Sequence, residues 1–122
     1  MIDSGCLRVL LAEDEAIVAL DLRFILEDMG HEVVATVARV RDGLDRGLSC
    51  NPDVAVLDVR LRDGEVFRLA DALLAAGVRL IFHSGHLDKE HIDERYPGAK
   101  FCPKPMTEAR LRDCLREVLD PA

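Results

Sequence analysis

The sequence predicts an α/β domain in which a five-stranded parallel sheet is doubly wound by five helices. Short apolar runs that do not alternate with polar residues recur along it, as in strands buried on both faces. Each run is followed, across a short connection, by a segment of helical periodicity. Parallel strands joined by right-handed helical crossovers give a three-layer domain. A third observation concerns how the strands end. Pro52-Asp53-Val54-Ala55-Val56-Leu57-Asp58 closes in a carboxylate that has no place inside a buried strand. At the C-terminal end of that strand, Asp58 emerges in the crevice where open α/β sheets bind ligands.

The first run, Cys6 to Ala12, is broken only by Arg8 and ends at Glu13-Asp14-Glu15. Asp14 or Glu13 can cap the following helix, and acids suit a helix N-terminus electrostatically. That helix is expected from Ala16 to Met29, stopped by Gly30. Val18, Leu22, Ile25 and Met29 share one face, while Ile17, Leu20 and Phe24 lie well round from it. A helix wedged between sheet and neighbouring helix needs such a wide arc; otherwise one stripe is a partner surface. His31 to Val37 reads as the second strand, and Val40 to Ser49 as a short helix turned inward by Val40, Leu44 and Leu48.

Asn51-Pro52 is a turn signal leading into the central strand. Val59 to Gly64 is a polar loop whose glycine can take a positive φ, and a helix from Glu65 to Ala76 ends at Gly77. Val78 to Phe82 is the fourth strand, followed by the loop His83-Ser84-Gly85-His86. Leu87 to Tyr96 is mostly charged and is expected to be the least firmly packed helix. Ala99 to Cys102 is the fifth strand, and Pro103-Lys104-Pro105 a stiff corner. The last helix starts near Thr107, with Leu111, Cys114, Leu115, Val118 and Leu119 on one buried face.

A chain of 122 residues is read as one domain, 1–122, long enough to bury roughly two-thirds of its unfolded surface. No apolar run approaches the roughly 20 residues of a membrane span. The N-terminus lacks a signal-peptide pattern, so the cytoplasm is the default location. A net charge of −7 argues against nucleic acids and anionic membranes as partners. Cys6, Cys50, Cys102 and Cys114 have no metal-ligand spacing, and Cys6 and Cys102 border apolar runs and read as small core residues. His83 and His86, three apart on a loop without a third ligand, do not read as a metal site.

If all strands are parallel, one rim gathers Glu13, Asp14, Asp58, Ser84 and Lys104. Three carboxylates within about 5 Å repel by roughly 3 kcal/mol per pair at an effective dielectric near 20. Folding alone does not select such a cluster. A divalent cation resolves it, and all-oxygen ligation suits Mg²⁺, with Mn²⁺ an alternative. Ser84 adds a hydroxyl donor and Lys104 a compact positive charge. Carboxylate nucleophile, metal, hydroxyl and ammonium together describe phosphoryl transfer to an aspartate.

Leu11-Ala12-Glu13-Asp14-Glu15, Asp53-Val54-Ala55-Val56-Leu57-Asp58, Asp63-Gly64, Ser84-Gly85 and Lys104-Pro105 together resemble the receiver domains of two-component response regulators, from about Arg8 to Leu119. The resemblance implies the flavodoxin-like (βα)5 form of the doubly wound sheet. It implies that Asp58 accepts a phosphoryl group from a histidine kinase or histidine phosphotransfer protein. It further implies that Glu13, Asp14, Asp58 and the backbone carbonyl of Arg60 hold Mg²⁺. Ser84 takes the place of the switch hydroxyl, Lys104 contacts the phosphoryl oxygens, and Phe101 stands at the switch aromatic. Arg60 and His86 occupy positions that look onto the pocket. Arg60 is expected to pair with the phosphoryl group or with Asp14 and to lengthen the phosphorylated state.

Two departures stand out. The family usually has Pro where Arg62 stands, so the loop after Asp58 should be less rigid. Phe101 lacks the hydroxyl of the more frequent Tyr. A dehalogenase-type phosphatase would need a second Asp where Arg60 sits, and Glu13-Asp14-Glu15 would repel the phosphate of a flavin. The expected role is therefore a single-domain regulator that catalyses only its own phosphorylation and dephosphorylation and binds a downstream protein. A homodimer is one assembly compatible with it. The alternatives are a phosphate sink or relay shuttle, or a receiver cut from a longer regulator.

Overall fold

A computed structural model describes residues 6–85 and 88–119. Five strands, β1 (Arg8–Ala12), β2 (Glu32–Val37), β3 (Val54–Asp58), β6 (Arg79–Ser84) and β7 (Lys100–Pro103), form one sheet in the order β2-β1-β3-β6-β7. Every neighbouring pair is parallel. The winding direction reverses between β1 and β3, so the crevice at their C-terminal ends is the switch point where such sheets bind ligands.

The central strand shows why these runs do not alternate. Ala55 and Leu57 pack into a core on one face with α3 (Phe67–Ala75) and α4 (Lys89–Arg95). Val54 and Val56 pack into a second core on the opposite face with α1 (Ala16–Asp28) and α5 (Glu108–Leu119). All five residues of β3 are buried, Asp58 included. Helices on both faces demand apolar side chains at every position of such a strand.

Two of the expected helix stops rest on one device. Gly30 takes φ 90°, with His31 N–H donating to Leu26 O and Gly30 N–H to Glu27 O, both at 3.0 Å. Gly77 takes φ 83° and closes α3 in the same way, through Val78 to Leu73 and Gly77 to Leu74. A left-handed residue at this point satisfies the last carbonyls of the helix, and glycine reaches it without strain.

The segment expected as a helix over Val40 to Ser49 is different. Only Val40–Asp42 is α-helical (α2), and Gly43–Gly47 continues as a π-helical turn. Both glycines are buried: a Cβ on Gly43 would lie 2.5 Å from Leu69 Cδ2, and one on Gly47 2.9 Å from Leu10 Cδ2. Their missing side chains let this segment press directly on α3 and β1.

The loop after Asp58 is also more ordered than its polar composition suggests. Arg60–Leu61 (β4) and Gly64–Glu65 (β5) pair as a small antiparallel ladder, with Gly64 at φ 132°. Between them, Asp63 accepts Val40 N–H at 2.6 Å and Arg41 N–H at 3.1 Å, capping α2. These backbone donors hold the Asp63 carboxyl below the usual range.

Helix α4 buries only Ile92 along its length, as its charged sequence suggests. Its C-terminal end is nonetheless anchored. The buried Tyr96 hydroxyl donates to Asp71 on α3 at 2.5 Å, and Arg95 reaches the same carboxylate at 2.7 Å. Cys102 lies in the core as expected, whereas Cys6, ahead of β1, is exposed. No helix among the described residues is long and apolar enough to cross a membrane.

Candidate functional site

The sheet order sets Glu13 and Asp14 (after β1), Asp58 (end of β3), Ser84 (end of β6) and Lys104 (after β7) side by side along one rim. Carboxylate oxygens of Glu13, Asp14 and Asp58 all lie within 4.8 Å of one another. Glu13 is 2% exposed and Asp58 5%, so this is a buried acid pair with a third acid at its edge. Backbone contacts fix the geometry: Glu13 N–H donates to Val37 O at 2.9 Å, and Asp14 N–H to Glu13 Oε2 at 3.0 Å.

The two buried acids titrate apart. Burial, then the hydrogen bond and negative charge of Asp58, push Glu13 up to about 9. Burial also works to raise Asp58, but the hydrogen bond from Glu13 and the positive charge of Lys104 bring it below its ordinary value. The two acids are thus coupled, and the proton of the pair is favoured on Glu13 over Asp58.

Glu13 Oε1 is buried without a hydrogen-bond partner. An orphaned acceptor beside two further carboxylate oxygens is an unmet demand for positive charge. An all-oxygen donor set of this kind fits a hard divalent cation.

Lys104 Nζ approaches Asp58 Oδ2 from the other side at 3.3 Å. The hydroxyl of the buried Ser84 does not face Asp58. It donates to Asp88, at the start of α4. Phe101 is half-buried against the core that holds Leu57 and Phe82, and stands in register with Phe82. Arg60 is exposed on β4, in register with Glu65, and forms no ion pair with Asp14 among the described residues. Of the two pairings open to Arg60, the one with Asp14 is not formed among the described residues, where Arg60 is exposed on the β4–β5 ladder. His86 lies outside the described residues.

His83 corrects the sequence reading. It is the penultimate residue of β6 rather than part of a loop, is 1% exposed, and stands opposite Asp58 in the ladder. Burial lowers it to about 4, and its Nε2 has no partner among the described residues. It helps line a cavity of about 520 Å³ with Glu15, Ile17, Val18, Asp21, Lys104 and Met106. The signal was available: a residue immediately before Ser84 belongs to the strand if Ser84 ends it.

Helix α1 resolves the open question of its two apolar stripes. Leu22 and Leu26 are buried, while Ile17, Leu20 and Phe24 are 84%, 51% and 60% exposed. Among the described residues the second stripe is therefore exposed, beside the acid site.

No protein-family model matches the chain. Among solved structures, that of SdrG from Sphingomonas melonis Fr1 superposes with a TM-score of 0.81 at 31% identity, covering 96% of this chain and 99% of that one. A response regulator receiver protein from Sinorhizobium medicae WSM419 gives a TM-score of 0.82 at 25% identity, over 97% of this chain and 98% of the other. In sequence, the phyllosphere-induced regulator PhyR of Methylorubrum extorquens is 29% identical over 116 residues. That match takes in 92% of this chain and 43% of PhyR, so the chain spans well under half the length of this relative.

Proposed function

The chain belongs to the receiver domains of two-component response regulators, and we propose that Asp58 is its phosphoacceptor. The observation that carries this reading is the buried, ionised Asp58 carboxylate set between the acids Glu13 and Asp14 and the ammonium of Lys104. An Asp58 oxygen attacks phosphorus of a phosphohistidine. The new O–P bond forms as the P–N bond breaks, and the electron pair leaves on the imidazole nitrogen. Lys104 neutralises charge on the phosphoryl oxygens, and Ser84 supplies a hydroxyl donor once it turns inward.

Glu13, Asp14 and Asp58 are the side chains that would hold Mg²⁺, with the Arg60 carbonyl as a backbone ligand. When bound, the ion supplies charge neutralisation between the acids and the incoming phosphoryl group. The chain acts on itself only, catalysing its own phosphorylation and dephosphorylation. The free stripe Ile17, Leu20 and Phe24 borders the acid rim, which suits docking by a histidine kinase or phosphotransfer protein. Output goes to a downstream protein that reads the state of α4 and Phe101.

Incubation with Mg²⁺ and acetyl phosphate tests this reading. A single phosphoryl adduct in the intact mass supports it, and an unchanged mass with a competent donor refutes it.

A further inference from the structure

The hydroxyl expected to bind the phosphoryl group is already engaged. Ser84 Oγ donates to Asp88 Oδ2, four residues further on. The Ser84 backbone is fixed in the sheet, where its carbonyl accepts Lys104 N–H at 3.0 Å. Only the side chain is free to reorient. Asp88 is half-buried and immediately precedes α4, where an Asp ordinarily caps the first turn. Its carboxylate caps none of those N–H groups. It is committed to Ser84 instead.

We propose that Asp88 is a positioning residue that latches Ser84 in the unphosphorylated state and competes with the phosphoryl group on Asp58 for its hydroxyl. This rests on Asp58 being the phosphoacceptor. A hydroxyl carries one proton and donates one hydrogen bond, so the Asp88 and phosphoryl bonds exclude each other. A bond from a hydroxyl to a carboxylate is of the stronger kind. Every molecule in the latched state is withdrawn from the binding-competent population, and apparent affinity falls by that fraction. Once released, Asp88 turns to the N–H groups of the first turn of α4, where an N-cap Asp ordinarily bonds. A change of partner at Ser84 then becomes a change at the start of a helix that buries only Ile92.

The test titrates the intact chain with fluoroberyllate in Mg²⁺, a non-reactive mimic of the acyl phosphate, and follows binding by calorimetry. Asp88→Ala is expected to tighten binding by about tenfold, the scale of one hydrogen bond to a charged group. Asp88→Asn, which keeps the shape, should move the same way by less. In a Ser84→Ala background, removing Asp88 should change affinity by no more than about twofold, the residue of losing a nearby negative charge. Amide hydrogen exchange at the first turn of α4 should slow when the probe binds the unmodified chain. Equal gains with and without the Ser84 hydroxyl, or no gain from either Asp88 variant, overturn the latch while leaving Asp58 as phosphoacceptor. Failure of the unmodified chain to bind the probe overturns both.

Discussion

Lys104 Nζ stands 3.3 Å from Asp58 Oδ2, although 46 residues separate them in the chain. The carboxylate is the enclosed partner, with 7% of its side chain exposed, and the ammonium reaches in from the rim with 39% exposed. The parallel order of β3, β6 and β7 creates this contact, since it carries the C-terminal end of each strand to the same edge.

Replacing Lys104 by Met keeps the stem but removes the charge that neutralises an incoming phosphoryl group. Phosphorylation by acetyl phosphate in Mg²⁺ should slow by at least about tenfold, the scale of one charged contact. Time-resolved intact mass reads this directly. A rate like that of the unmodified chain would remove Lys104 from the chemistry.

The acid pair makes a signed prediction for pH. Burial first, and Asp58 second, push Glu13 from 4.5 up to about 9, so across that range the folded chain holds a proton that the unfolded chain has released. Stability from this group is fully present below its ordinary value and drains away as pH rises toward the folded one. Asp58, lowered from 3.8, acts oppositely and only in more acid solution. Below about pH 6.5 the slope from Glu13 is offset by His83, which burial lowers from 6.5 to about 4, so in the absence of divalent cations Tm should fall from about pH 7 to about pH 8.5. Excess Mg²⁺ should flatten that slope, because the ion replaces the proton. A Tm without Mg²⁺ that is level or rising over this interval would contradict the shared-proton arrangement.

Asp58→Asn removes one member of the cluster. It loses the Lys104 contact, but that partner is well exposed and its attraction is screened by solvent. It also removes the negative charge that, after burial, raises Glu13. Without Mg²⁺ the variant should melt higher, each 1 kcal/mol being worth roughly 4 °C in a domain of this size. Differential scanning calorimetry in a chelating buffer checks the sign, and a lower Tm would deny that the acids strain the fold.

Arg60 is exposed and forms no ion pair with a described acid, and it is expected to turn toward a phosphoryl group on Asp58. Arg60→Asn should shorten the life of the phosphorylated state several-fold by removing a donor that shields phosphorus from water. Loss of the adduct with time after donor removal measures it. An unchanged decay rate would leave Arg60 a solvated surface residue.

Sheet, helix order and acid rim were legible because they rest on local patterns: the unbroken run Val54 to Leu57, the glycines at 30 and 77, and carboxylates stranded at strand ends. What escaped depends on contacts between distant segments. Nothing within Val40 to Ser49 announces a π turn, or that Gly43 packs against Leu69 and Gly47 against Leu10 within it. His83 looked like loop because the strand was ended at Phe82, yet pairing with Cys102 extends it to Ser84. The free stripe on α1 has the same periodicity as a buried one, and only the absence of a covering element distinguishes the two. Asp88 drew no notice in a charged segment, since its significance lies in one bond to Ser84.

The central claim is that one carboxylate on this rim, and no other, takes the phosphoryl group. Treating the phosphorylated chain with borohydride converts an aspartyl phosphate to homoserine, and peptide mass mapping then locates it. The account predicts conversion at Asp58 alone, and none in the Asp58→Asn chain. Conversion at Glu13, Asp14 or any other acid, or an adduct that survives in Asp58→Asn, would contradict it.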